Sequence, residues 1–170
     1  YLLQKRYDEA LRQYDRAAAM RGPSVVVLSR RAVALHRMGR IAAAAAEYQR
    51  VLRIDPVNVT ARNNLAYLYA ERGGDLAEAL RLAAAAYLEA PRNPEVLDTF
   101  GYVLLKSGRT DEAARVLERA LQEAPENPSI RYHRALASRS QGRPAEAIVH
   151  LQKAVMQQAF DERTEAVALL

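Results

Sequence analysis

Pro94 to Pro125 reads PEVLDTFGYVLLKSGRTDEAARVLERALQEAP. Its apolar residues fall into two runs. Val96, Leu97, Phe100, Val103 and Leu104 recur at steps of three and four, which places them on one face of a helix. Beyond Gly108 the pattern resumes with Ala113, Val116, Leu117, Ala120 and Leu121. Gly108 suits the end of the first helix, because glycine adopts conformations that other residues resist. Pro94 suits a first helical turn, where its missing N–H costs little. The stretch therefore predicts two antiparallel helices. A hairpin this short cannot bury its apolar face alone, so neighbours must stack on it.

The neighbours are present. Pro56, Pro91 and Pro125 are spaced by 35 and then 34 residues. Ala44, Ala79 and Ala113 each lie twelve residues before one of these prolines, and Val51, Ala86 and Ala120 lie five before. Gly39, Gly73, Gly108 and Gly142 fall between the helical runs. A further unit carries Ala147 and Ala154 in the same columns, with Ala159 where the proline would be. Four full units result, 25–58, 59–93, 94–127 and 128–161. The second has one extra residue, in Gly73-Gly74. A partial unit, 1–24, precedes them, and 162–170 start a further or capping helix.

These columns resemble the tetratricopeptide repeat (TPR), whose period is 34 residues. In its register Ala32, Ala66, Gly101 and Ala135 share position 8. Tyr48, Ala83, Leu117 and Leu151 share position 24. Upstream, Ala10, Tyr14 and Ala17 fit a second helix that starts near Lys5, so the chain is expected to begin inside the first helix of a repeat. The resemblance implies an all-α fold, a right-handed superhelical solenoid of antiparallel helix pairs. The first helix of each pair lines its concave side. The phrases from Asn63 to Tyr69 and from Pro94 to Ala113 also look like bacterial arrays. Among these are lipoproteins linked to exopolysaccharide production and exosortase-type systems.

Composition excludes several classes. The chain of 170 residues is half hydrophobic and 26% charged, so it can bury a core. It has no Cys, which removes disulfides, thiolate metal sites and cysteine nucleophiles. The net charge is +5, but the signs alternate along the helices and no basic stripe forms, so no nucleic-acid partner is expected. No apolar stretch is long enough to span a bilayer. The compartment is open: bacterial cytoplasm or periplasm, with attachment through a segment outside these residues as an option. His36, His133 and His150 fall at different repeat positions, so neither a metal nor a cofactor is expected. Gly73-Gly74 lacks the flanking residues of a phosphate loop. No catalytic residue stands out, and the expectation is a protein that is not an enzyme.

The binding candidates then follow from the repeat register. Positions 2, 5, 9, 12 and 13 face the concave side in the resembled family. This selects Arg37, Asn63, Tyr67, Asp98, Tyr102, Lys106, Tyr132 and Arg139. Tyrosine couples a rigid apolar ring to a hydroxyl, so Tyr67 and Tyr102 read either as ligand contacts or as packing between adjacent first helices. The family's carboxylate clamp is absent: Asn64 matches it, but Ser29, Val33, Glu95 and Thr99 do not. The expected function is a scaffold that binds a partner protein or an extended peptide. The alternative is a periplasmic carbohydrate-binding module in exopolysaccharide synthesis or export. Self-association through solenoid ends is a third option, since Leu2, Leu3 and Leu11 would leave apolar surface on the partial unit.

Overall fold

Glycines set where each helical pair folds back. Gly39 has φ +72°, a left-handed conformation that costs a side chain bearing Cβ. Its N–H donates to His36 O at 2.8 Å, and the next N–H, of Arg40, donates to Leu35 O at 2.9 Å. This pair of bonds closes a helix C-terminus and satisfies two of its free carbonyls. The same pattern recurs in the third and fourth units, where Arg109 N reaches Leu104 O and Arg143 N reaches Ser138 O, each at 2.9 Å. In the second unit Gly74 makes the outer bond, to Tyr69 O at 2.8 Å. Asp75 then follows as a separate N-cap, its Oδ1 accepting from Glu78 N at 2.9 Å. Elsewhere one arginine closes the first helix and opens the second. The extra residue separates these jobs. The Asp75–Glu78 capping box forms only by half, because the Glu78 carboxylate pairs with Arg81 instead.

The computed structural model describes the backbone of residues 2–157 and 160–170, and their side chains except at 2–5 and 21. Its elements are α1 (Leu2–Arg21), α2 (Val25–Arg37), α3 (Ile41–Ile54), α4 (Val59–Glu71), α5 (Leu76–Glu89), α6 (Pro94–Lys106), α7 (Thr110–Glu123), α8 (Pro128–Ser140), α9 (Pro144–Val155) and α10 (Arg163–Ala168). They form an all-α solenoid in which consecutive helices pack as antiparallel pairs and each pair stacks on the next.

The small-residue columns sit at the seams. Ala32, Ala66, Ala135, Ala44, Ala79, Ala113, Val51, Ala86, Ala120 and Ala154 have no exposed surface. Small side chains there let neighbouring backbones approach, and Tyr48, Leu117 and Leu151 fill the space between. At Gly101 there is no room for even a methyl group: a Cβ would lie 2.5 Å from Leu117 Cγ. Asparagine opens three of the first helices. Asn58, Asn93 and Asn127 accept backbone N–H bonds from their own first turns. Pro94, Pro128 and Pro144 occupy first turns.

The N-terminal part differs from expectation in two ways. α1 is one unbroken helix from Leu2 to Arg21, with no remnant of a separate first helix. In later units a glycine sits five residues before the position-20 alanine. Here Lys5 stands five before Ala10, so nothing favours the left-handed break. Leu11 is also buried rather than exposed, packed in the cluster that includes Leu28 and Leu35. The side chains of Leu2 and Leu3, and Ala159, lie outside the described residues.

Candidate binding trough

The first helices α2, α4, α6 and α8 lie side by side and bring a line of rings together. His36 of α2 is 6.1 Å from Tyr67 of α4, ring centre to ring centre. Tyr67 is 5.4 Å from Tyr102 of α6, and Tyr102 stacks on His133 of α8 at 4.5 Å. Tyr132 adds a tilted contact to His133 at 5.5 Å. One ring column thus crosses four repeats. Such tilted and offset pairs suit the charge distribution of aromatic rings.

The column holds its polar groups in fixed pairs. Asp98 Oδ1 lies 2.8 Å from His133 Nδ1. Burial works against a charged imidazole, yet the Asp98 carboxylate outweighs it and raises the His133 pKa above its usual value. His36 Nε2 is 3.4 Å from Glu71 Oε2. Burial, followed by the Glu162 and Glu71 carboxylates, keeps the Tyr67 phenol protonated well beyond its ordinary range. Burial and then Glu71 do the same for Tyr102.

The candidate residues divide by environment. Tyr102 is only 8% exposed, its ring stacked on His133 with Lys106 Nζ 5.4 Å from the ring centre. Tyr132 is buried under Phe160, Leu169 and Ala166. Asn63 is buried as well. Its Nδ2 donates to Asn64 Oδ1 at 3.3 Å, and its own Oδ1 has no partner among the described residues. Asn64 in turn donates to Tyr48 Oη at 2.9 Å, a contact inside the stack. Tyr67 is half-buried, and its hydroxyl donates to Glu162 Oε1 at 3.3 Å. Arg37 is exposed and ion-paired with Asp161. Among the described residues neither Lys106 nor Arg139 has an ion-pair partner. They edge a groove of about 490 Å³ with Leu105, Leu136, Tyr102 and Ser140. Val26 and Val33 of α2 are 60% and 47% exposed, and so leave apolar surface free.

Sequence reasoning passed over His133, Asp161 and Glu162. His133 carried a signal. It sits one repeat beyond Asp98, at position 6 against position 5, the pairing that the carboxylate clamp uses across adjacent units. Asp161 and Glu162 carried none, because their partners lie 124 and 95 residues away. His36 and His133 both approach Tyr67, whereas His150 lies apart, near Glu146. Among the described residues no group of three or more His, Cys, Asp or Glu side chains could hold a metal ion, and no helix is long and apolar enough to cross a membrane.

Two stretches of the sequence match family models: residues 99–162 a tetratricopeptide repeat, and residues 30–73 a TPR repeat. With the stacked hairpins, these matches decide the class. This is a tetratricopeptide-repeat protein. The TPR chain is similar in fold to solved structures. One is TTC0263, a thermophilic TPR protein of Thermus thermophilus, at 24% identity and a TM-score of 0.79, covering 97% of this chain and 91% of that one. Another is MamA, residues 41 to the end, from Desulfovibrio magneticus RS-1, at 18% identity and a TM-score of 0.73, covering 90% and 88%. No curated protein matches the sequence. The TPR class is characteristically non-enzymatic.

Proposed function

We propose that this TPR chain is a non-catalytic interaction scaffold whose trough holds an extended segment of a partner protein. The ring column of His36, Tyr67, Tyr102 and His133 carries the reading. It forms a rigid floor across four repeats, with free apolar surface at Val26 and Val33 and, among the described residues, unpaired cations at Lys106 and Arg139. A peptide offers apolar and charged groups in alternation along one strand, which suits that floor. A polysaccharide ligand has less support. The Tyr102 ring is stacked on His133 and nearly buried, so it offers a sugar no open face. The comparisons add nothing for an exopolysaccharide role.

Selection of displayed random peptides on the full chain tests the reading. The counter-screen is a variant carrying Arg37→Ala, Lys106→Ala and Arg139→Ala. Selected peptides are expected to lose about tenfold or more in affinity on that variant, or roughly 1.4 kcal/mol. Peptides that bind both chains equally would refute a trough ligand. A glycan-array signal with no peptide selected would replace this reading with the carbohydrate one.

A further inference from the structure

Past α9 the chain turns back over its own trough. Phe160 packs with Tyr132, Leu136 and Leu151 at the end of the solenoid. Asp161, next to it, pairs with Arg37 of α2. Glu162 bridges two further helices: Oε1 accepts from Tyr67 Oη of α4 at 3.3 Å, and Oε2 accepts from Ser129 Oγ of α8 at 2.8 Å. Three consecutive residues thus connect the first full repeat, the second and the last. Covering the final hairpin does not require the two carboxylates. Phe160, Ala166 and Leu169 already cover its apolar edge, and the Asp161 side chain remains largely exposed. The two carboxylates instead meet the polar groups of the trough.

The charges around them point the same way. Of the trough's own carboxylates, Glu71 is engaged by His36 and Asp98 by His133. Among the described residues, Arg37, Lys106 and Arg139 have no acidic partner within the trough itself. Among the described residues, the acids that reach Arg37 and the Tyr67 hydroxyl come from the C-terminal segment.

We propose that the trough accepts an acidic peptide from a partner protein, an aromatic residue followed directly by two carboxylates, and that Phe160-Asp161-Glu162 holds that place until the partner displaces it. This rests on the scaffold reading above and adds the chemistry of the ligand. The aromatic side chain takes the seat beside Tyr132 and Leu136. The first carboxylate meets Arg37, and the second meets the Tyr67 and Ser129 hydroxyls. A longer ligand continues towards the groove at Lys106 and Arg139, which the chain's own segment leaves open. The resident contacts suit displacement: the Arg37–Asp161 pair is exposed, and exposed pairs hold weakly. Tethering compensates, because a short linker gives the segment a high effective concentration over the trough.

The test uses the full chain, wild type and with Asp161→Asn and Glu162→Gln together. The probe is a fluorescent synthetic peptide with the sequence of residues 157–165, and a second peptide carries Asn and Gln in place of its two acids. The double variant is expected to bind the acidic peptide about tenfold more tightly than wild type, since its own segment no longer competes. The neutral peptide is expected to bind at least about tenfold more weakly, and Arg37→Ala in the double-variant background to remove the gain. Circular dichroism melts establish that each chain is folded. Equal affinity of both chains for the acidic peptide overturns the proposal, as does equal affinity for the two peptides, or no binding at all. A concentration-dependent dimer of wild type that vanishes in the double variant also overturns it, by assigning the segment to a second copy. Trough-dependent random peptides without acidic preference would sink this proposal and leave the scaffold reading standing.

Discussion

Gly101 sits at a seam with no room for a side chain. The other full units have alanine at this position. Here the facing residue is Leu117, and an added Cβ would lie 2.5 Å from its Cγ and 2.8 Å from its Cδ2. The sequence shows the glycine, but not that leucine is what it makes room for. Gly101→Ala is expected to destabilise the fold by about 1–3 kcal/mol in urea unfolding, as overpacked cores do. Adding Leu117→Ala recreates the Ala66 and Ala83 combination of the preceding unit, so the double variant should be more stable than the sum of the two single changes. A neutral Gly101→Ala would show that α6 and α7 separate freely. His133 makes a second residue-scale prediction. Its pKa is raised in the folded state by Asp98. The stability it adds is therefore complete below the unfolded value of about 6.5 and is lost as pH rises through the folded value. His133→Gln should remove that loss. Urea midpoints between pH 6 and pH 9 give the measurement, and identical pH slopes for the two chains would contradict the pairing.

Individual helices are legible to different degrees. Proline and glycine mark both ends of α6, α7 and α8 and the start of α9, because each acts through its own backbone. α1 departs from the repeat register because Lys5 stands where a glycine would enforce the break. The asparagine caps lie between these cases. Asn127 Oδ1 accepts from Ser129 N and Ile130 N at 3.0 and 3.2 Å, so it opens α8 and orders the residue that holds Glu162. Asn127→Ala is expected to cost about 1 kcal/mol of stability, the usual value for a lost N-cap. Asn127→Asp should retain it. If Asn127→Ala melts at the wild-type temperature, water or Pro128 geometry is already sufficient to start the helix.

Across the whole molecule, a repeat array is held by contacts between neighbours, and its ends loosen first. The columns of Ala, Gly and Pro made that architecture readable, because every unit repeats the same local solution. They could not reveal a contact outside the period. Arg37–Asp161 and Tyr67–Glu162 tie the last segment to the first two full repeats, so here the array is closed across its trough as well as stacked along its length. The closure makes a specific demand. In Asp161→Asn with Glu162→Gln, amide exchange should quicken in α10 and also in the C-terminal half of α2, although the two are far apart in sequence. α6 and α7 pack within the stack and should keep their protection. The effect on α2 is the discriminating one, since a fraying C-terminus alone would loosen α10 and leave α2 unchanged. Exchange that rises in α10 only would mean that the solenoid is open, with the carboxylates resting on the trough without holding it. A rise in both separates a closed array from an ordinary stack, because α10 and α2 share no neighbour along the chain and can be coupled only across the trough.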